Sequence, residues 1–128
     1  MSETHGTVHW SELMTRDVPK ALAYYGKICG WTFDMMPMPE GEYHIGMQGG
    51  RPTVGIMGME AMPEDEAPHW MTYIAVDDVD KAVAQSRKAG GEVSRDCYDV
   101  PGVGRIAIVA DPSGAKVGIM TPSTQPMP

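Results

Sequence analysis

The sequence predicts an α+β domain made of two tandem βαβββ units. Each unit is a curved, mostly antiparallel sheet with one helix, and the two together enclose a cleft. Three observations lead there. Sliding the chain along itself by 61 positions lays Asp17–Gly30 on Asp78–Gly91, and seven of the fourteen residues are identical. Val54-Gly55-Ile56-Met57 returns as Val117-Gly118-Ile119-Met120, now 63 apart, so only two residues of slippage separate the copies. Ahead of each repeated helix, apolar residues alternate as in a strand. Self-similarity at this spacing in only two copies indicates a duplicated half-domain rather than a solenoid.

In order, Met1–Gly6 reads as a loose start. Thr7–Met14 alternates as a strand, with Val8, Trp10, Glu12 and Met14 on one face. Asp17 can cap a helix and Pro19 suits its first turn. Ala21, Leu22, Tyr24, Tyr25 and Ile28 then form an apolar stripe at helical spacing that predicts a core-facing surface, and Gly30 ends the helix. Trp31–Met36, Glu42–Met47 and Pro52–Met59 read as strands, separated by turns at Met38–Gly41 and Gln48–Arg51. The proline-rich acidic stretch 60–68 links the halves. The second copy follows: strand His69–Val76, helix Val79–Ala89 closed by Gly90-Gly91, strand Glu92–Tyr98, loop Asp99–Gly104, strand Arg105–Ala110, the turn Asp111-Pro112-Ser113-Gly114, and strand Lys116–Met120. A tail over 122–128 is expected to fray.

At 128 residues the chain is long enough for a single domain with its own core. We read it as one domain over 1–128: unit one 6–59, linker 60–68, unit two 69–121 and the tail. A net charge of −7, from 17 acidic and 10 basic residues without a basic stripe, argues against a nucleic-acid partner. No apolar run approaches membrane-spanning length and no leader layout opens the chain, so the sequence predicts a cytoplasmic protein without a membrane partner. Cys29 and Cys97 have neither metal-binding nor disulfide-framework spacing, and neither has an evident base beside it. Most of the 12 methionines read as core filler.

The duplicated βαβββ unit, the D-V-x-K-A helix starts at Asp17–Ala21 and Asp78–Ala82, and the D-P-S-G before the last strand resemble the vicinal oxygen chelate superfamily. That group holds glyoxalase I, bleomycin-resistance proteins, fosfomycin-resistance enzymes and extradiol dioxygenases. The likeness runs from about Gly6 to Thr121. Trp10–Asp17, the helix exit Tyr25…Gly30-Trp31 and Asp99–Arg105 resemble a glyoxalase-related subgroup that lacks the metal ligands.

In the metal-dependent members the resemblance implies His on the first strand, Glu on the fourth, His on the fifth and Glu on the eighth. Aligned through Asp17, Asp77-Asp78 and Asp111-Pro112, those places hold Trp10, Gly55, Met71 and Gly118. The internal repeat gives the same register, matching Trp10 to Met71 and Gly55 to Gly118. None offers a carboxylate or imidazole, and the Met71 thioether is a poor match to the metals these enzymes use. The sequence therefore predicts no metal and no cofactor. A displaced group of Glu12, His69, His44 and Glu42 is the alternative.

The expected ligand contacts are Trp10, Glu12, Gly55, Met57, His69, Met71, Tyr73, Tyr98, Gly118 and Met120, with the two glycines enlarging an apolar, aromatic pocket. Glu12, set between Trp10 and Met14, needs either a partner such as His69, Arg105 or Tyr73, or a raised pKa. Glu12 and His69 are the catalytic candidates. The function expected is metal-free binding of a small organic molecule, similar to bleomycin-resistance proteins. Alternatives are a metal-independent enzyme using Glu12 and His69, a metal-dependent lyase or dioxygenase of the glyoxalase I type, and an interaction module. The resemblance also implies a homodimer pairing through its sheets.

Overall fold

The computed structural model describes residues 3–38, 41–100 and 103–123. Its elements run β1 (Val8–Thr15), α1 (Val18–Cys29), β2 (Thr32–Met38), β3 (Gly41–Gln48), β4 (Arg51–Gly58), β5 (His69–Ala75), α2 (Val79–Lys88), β6 (Glu92–Val100), β7 (Gly104–Ala110) and β8 (Lys116–Pro122). The fold is α+β, with the predicted βαβββ order present twice. β6 runs two residues past the predicted strand and takes up the start of the expected loop, so Tyr98 sits within a strand. Pro39-Glu40 of the first turn, Pro101-Gly102 of that loop, Met1-Ser2, and 124–128 of the predicted tail lie outside the described residues.

The repeated D-V-x-K-A motif has a direct physical cause. Asp17 accepts from the Lys20 amide (3.1 Å) and Asp78 from the Lys81 amide (3.2 Å), so each motif satisfies a helix-start N–H that has no partner within the helix. Gly30 closes α1 at φ 71°, a left-handed conformation costly for any side chain with a Cβ. Asp111 accepts from the Ser113 and Ala115 amides and fixes the turn into β8; the Ser113 hydroxyl bond, with those amide bonds, holds its carboxyl below the usual range.

The chain divides into two compact units, Trp10–Met71 and the remainder, with the division falling inside β1 and β5. In the first, the strand order is β2-β3-β4-β1, with β1 and β4 parallel and the other pairs antiparallel. Leu13, Val54 and Ile56 are buried on the α1 side, where Phe33 of β2 approaches Gly26 of the helix. No residue of α1 is fully buried, and Tyr24 and Ile28 of the predicted core stripe point to solvent. Five apolar residues in eight positions span a wider arc than one helix can lay on one sheet.

In the second unit the order is β5-β8-β7-β6, and the backbone of Thr7 and Gly6 pairs with Ala75. Val79 and Val83 of α2 pack with Ala107, Val109 and Ile119. No helix among the described residues is long and apolar enough to cross a membrane.

One side chain reaches three carbonyls of the connector after β4. Arg16, between β1 and α1, donates to the carbonyls of Met59 (2.9 Å), Glu66 (3.0 Å) and Pro63. A charge-assisted hydrogen bond contributes about 1.5–3 kcal/mol. Arg16→Ala should therefore speed cleavage at Glu64 and Glu66 by a glutamate-specific protease by about tenfold or more, because local opening sets the rate. Unchanged cleavage would show that the connector is held by other contacts.

Candidate functional site

The candidate site of the first unit lies on the sheet face away from α1. Alternation places Trp10, Glu12 and Met14 on one side of β1. Register places Glu12 opposite Gly55 and Met14 opposite Met57 on β4, while Tyr43 of β3 lies opposite Met57. Trp10, Glu12, Tyr43, Gly55 and Met57 therefore share one face.

A hydrogen-bonded chain joins three of them. The Trp10 indole Nε1–H donates to the Tyr43 hydroxyl (2.8 Å), and that hydroxyl donates to Oε2 of Glu12 (2.8 Å). All three side chains are half-buried. A hydroxyl that accepts at its oxygen donates more strongly, and a charged acceptor strengthens the bond again. The carboxylate is thus aimed by a rigid phenol that an indole orients in turn. Glu12 has a partner, as the sequence demanded, in Tyr43, a residue outside the expected His69, Arg105 and Tyr73. His69 begins β5 with Nδ1 against the Ala67 carbonyl (2.8 Å). Arg105 grips Asp80 through Nε (2.8 Å) and Nη2 (3.0 Å) and reaches Asp99 through Nη1 (3.1 Å). The Arg105 guanidinium accordingly holds the Asp80 carboxyl below the usual carboxylate range.

The glycines do not enlarge a pocket. A Cβ built on Gly55 would lie 1.6 Å from the Tyr43 hydroxyl oxygen, because the phenol rests on the glycine backbone. The second unit repeats the arrangement with a different strand: Tyr73 of β5 is in register with Gly118 of β8, and a Cβ there would lie 2.2 Å from the Tyr73 ring. Where the metal-dependent pattern would place glutamates, each unit has a glycine with a tyrosine lying on it.

Those positions do not fit a catalytic metal: Trp10, Gly55, Met71 and Gly118 bring no carboxylate or imidazole, and tyrosine rings fill the space over both glycines. The displaced set is divided as well. His44 and Glu42 alternate with Tyr43 on β3, so they project from the opposite face to Glu12, and His44 lies beside Ile56 on the helix side.

The remaining candidates separate by burial. Met71, Tyr73 and Met120 are buried, whereas Met57, His69 and Tyr98 are half-buried. In the second unit Tyr73, Gly118, Met120 and Tyr98 share the face away from α2, with Tyr98 in register with Ile106 and Ile106 with Met120. The Arg95 guanidinium lies 3.7 Å over the Tyr98 ring, a cation–π contact. Cys97 points elsewhere; burial, then the neighbouring Asp80, pushes its thiol pKa up, so it is not an activated nucleophile.

Sequence reasoning missed Tyr43. Its only signal was placement on the strand that neighbours the Val54–Met57 repeat.

The contact between Tyr43 and Gly55 makes a sharp prediction. Gly55→Ala should cost about 2–3 kcal/mol in urea unfolding, since the methyl group cannot share space with the phenol. Tyr43→Ala added to that variant should cost less than it does alone, because the two side chains compete for one volume. Additive losses would contradict the contact.

The model of the Glyoxalase/Bleomycin resistance protein/Dioxygenase superfamily matches residues 7–119. The chain is 37% identical over 121 residues to CFP32 of Mycobacterium tuberculosis, a protein that carries the name glyoxylase, covering 94% of this chain and 46% of that one. It is 28% identical over 127 residues to the anthracycline biosynthesis protein DnrV of Streptomyces peucetius, covering 89% of this chain and 46% of that one. The chain thus spans about half the length of the curated relatives it matches. Among solved structures, methylmalonyl-CoA epimerase from Mycobacterium tuberculosis superposes with a TM-score of 0.69 at 13% identity, over 96% of this chain and 93% of that one, a likeness of fold. With a family model matching most of its length and the duplicated βαβββ fold to go with it, the chain belongs to the Glyoxalase/Bleomycin resistance protein/Dioxygenase superfamily.

Proposed function

We propose that the protein binds a planar organic molecule against the helix-free sheet face of its first unit, without a metal at the four equivalent positions, and with Glu12 as the polar contact that orients it. The observation that carries this reading is the chain from Trp10 through Tyr43 to Glu12. A pocket for an aromatic molecule needs apolar surface and a few fixed polar groups. Trp10 and Met57 supply the first, and the tethered carboxylate supplies the second at little cost in ordering on binding. The name of the relative DnrV, anthracycline biosynthesis protein, supports a polycyclic ligand.

A second reading shares the site. A carboxylate held in one direction beside an apolar surface has the geometry of a general base, and the name glyoxylase carried by a relative favours a carbonyl substrate. In that case Glu12 takes a proton from the carbon beside the carbonyl. This reading assigns the proton transfer to Glu12; the Nδ1 of His69, the other catalytic candidate, lies against the Ala67 carbonyl.

Titration with a hydroxyanthraquinone should quench tryptophan fluorescence, and Glu12→Gln should weaken binding by about tenfold, the loss of one charge-assisted bond. No saturable binding, or equal binding by Glu12→Gln, contradicts the proposal. Incubating α-tetralone with the protein in D2O separates the readings. Deuterium entering beside the carbonyl, and failing to enter with Glu12→Gln, favours the base; recovery of the ketone without deuterium favours the binder.

A further inference from the structure

We infer that the outer face of α1, with Trp70 beside it, is the surface through which two copies of this chain pair. Five large apolar side chains are strongly exposed among the described residues, and four of them lie on the helix side of the first unit. These are Tyr24 (57% exposed) and Ile28 (58%) on α1, Met35 (51%) on the edge strand β2, and Trp70 (41%) at the start of β5. They are organised around an aromatic cluster. Tyr25 stacks on Trp31 at 5.7 Å, meets Tyr24 and Trp70 edge-on at 5.0 and 5.4 Å, and accepts a hydrogen bond from the Trp70 indole (3.2 Å). Exposed apolar side chains are ordinary singly; grouped on one face they mark a contact.

The duplication supplies an internal control. At the matched positions of the second copy, Tyr24, Tyr25 and Ile28 become Gln85, Ser86 and Ala89, and Trp70 is matched by His9. The same helix on the same kind of sheet therefore needs none of these apolar groups to fold. Their presence on α1 alone points to something that covers them.

Charge identifies a second copy as the cover. Helix α1 carries Lys20 and Lys27 and no acidic residue; Lys20, Tyr24, Lys27 and Ile28 fall on one helical stripe. The connector carries Glu60, Glu64, Asp65 and Glu66. Arg16 draws this connector to the start of α1, and Trp70, just beyond it, packs on Tyr25. The apolar patch is thus flanked by lysines along the helix and by acids along the connector. Lys27, Glu64 and Asp65 form no ion pair among the described residues. A two-fold contact sets the same patch against itself, so the lysines of one copy meet the acids of the other around an apolar centre. This pairing uses the helix side, in contrast to the sheet pairing the family resemblance implied, and it does not depend on the ligand proposed above.

Sedimentation of the full chain tests it. The wild type should have about twice the 13.9 kDa chain mass at tens of micromolar. Tyr24→Gln/Ile28→Ala should raise the dimer dissociation constant by more than about tenfold, with the far-ultraviolet circular dichroism unchanged. Lys20→Glu/Lys27→Glu alone should dissociate, and mixing it with Glu64→Lys/Asp65→Lys should give a heterodimer that weakens with salt. A wild-type chain that stays monomeric up to about 100 μM overturns the proposal. So does a Tyr24→Gln/Ile28→Ala protein that dimerises as tightly as the wild type, or a charge-swapped mixture that does not pair.

Discussion

In each unit a tyrosine ring lies on the backbone of a glycine in the final strand, and much of the candidate site follows from that contact. On Gly55 the ring of Tyr43 comes so close that no side chain fits beneath it. Such an approach fixes the phenol in place, and a fixed phenol can hold two hydrogen bonds at once with good geometry. Trp10 donates to it and Glu12 accepts from it, so one packing constraint orients an indole and a carboxylate on neighbouring strands. In the second unit Tyr73 lies on Gly118 in a buried setting.

The fold was readable because its signals are local. An aspartate followed three residues later by the amide it caps, a glycine at the helix exit, and strict alternation before each helix all act within a few residues. Duplication lets one copy check the other: the repeat matches Trp10 to Met71 and Gly55 to Gly118, the register that the family pattern also gives. The site was only partly readable. Trp10, Glu12 and Gly55 were legible from alternation and repeat spacing. Tyr43 was not, because its face depends on the register of β3 against β4, which shifts between Gly46 and Met47. From sequence the glycines stand as open space, because a sequence does not show which neighbouring side chain fills the place a Cβ leaves. Arg16 was equally hidden, since its carbonyl partners lie 43 to 50 residues away.

The two copies have diverged in opposite senses. α2 buries Val79 and Val83 and presents polar residues outward, which suits a helix facing water. α1 keeps a half-buried inner side and adds exposed tyrosine and isoleucine outside. The same periodic signal in the sequence thus stands for two different surfaces, and only the position of the sheet distinguishes them.

The central claim is that glycine–tyrosine packing fills two of the positions where the metal-dependent pattern would place its ligands, with Glu12 tethered beside Gly55. Elemental analysis of protein purified without chelator and without a metal-binding tag tests this most directly. Less than about a tenth of an equivalent of any transition metal is the predicted result, because three protein ligands cannot be assembled from Trp10, Gly55, Met71 and Gly118. About one equivalent of a single transition metal, lost in Glu12→Ala, would contradict it.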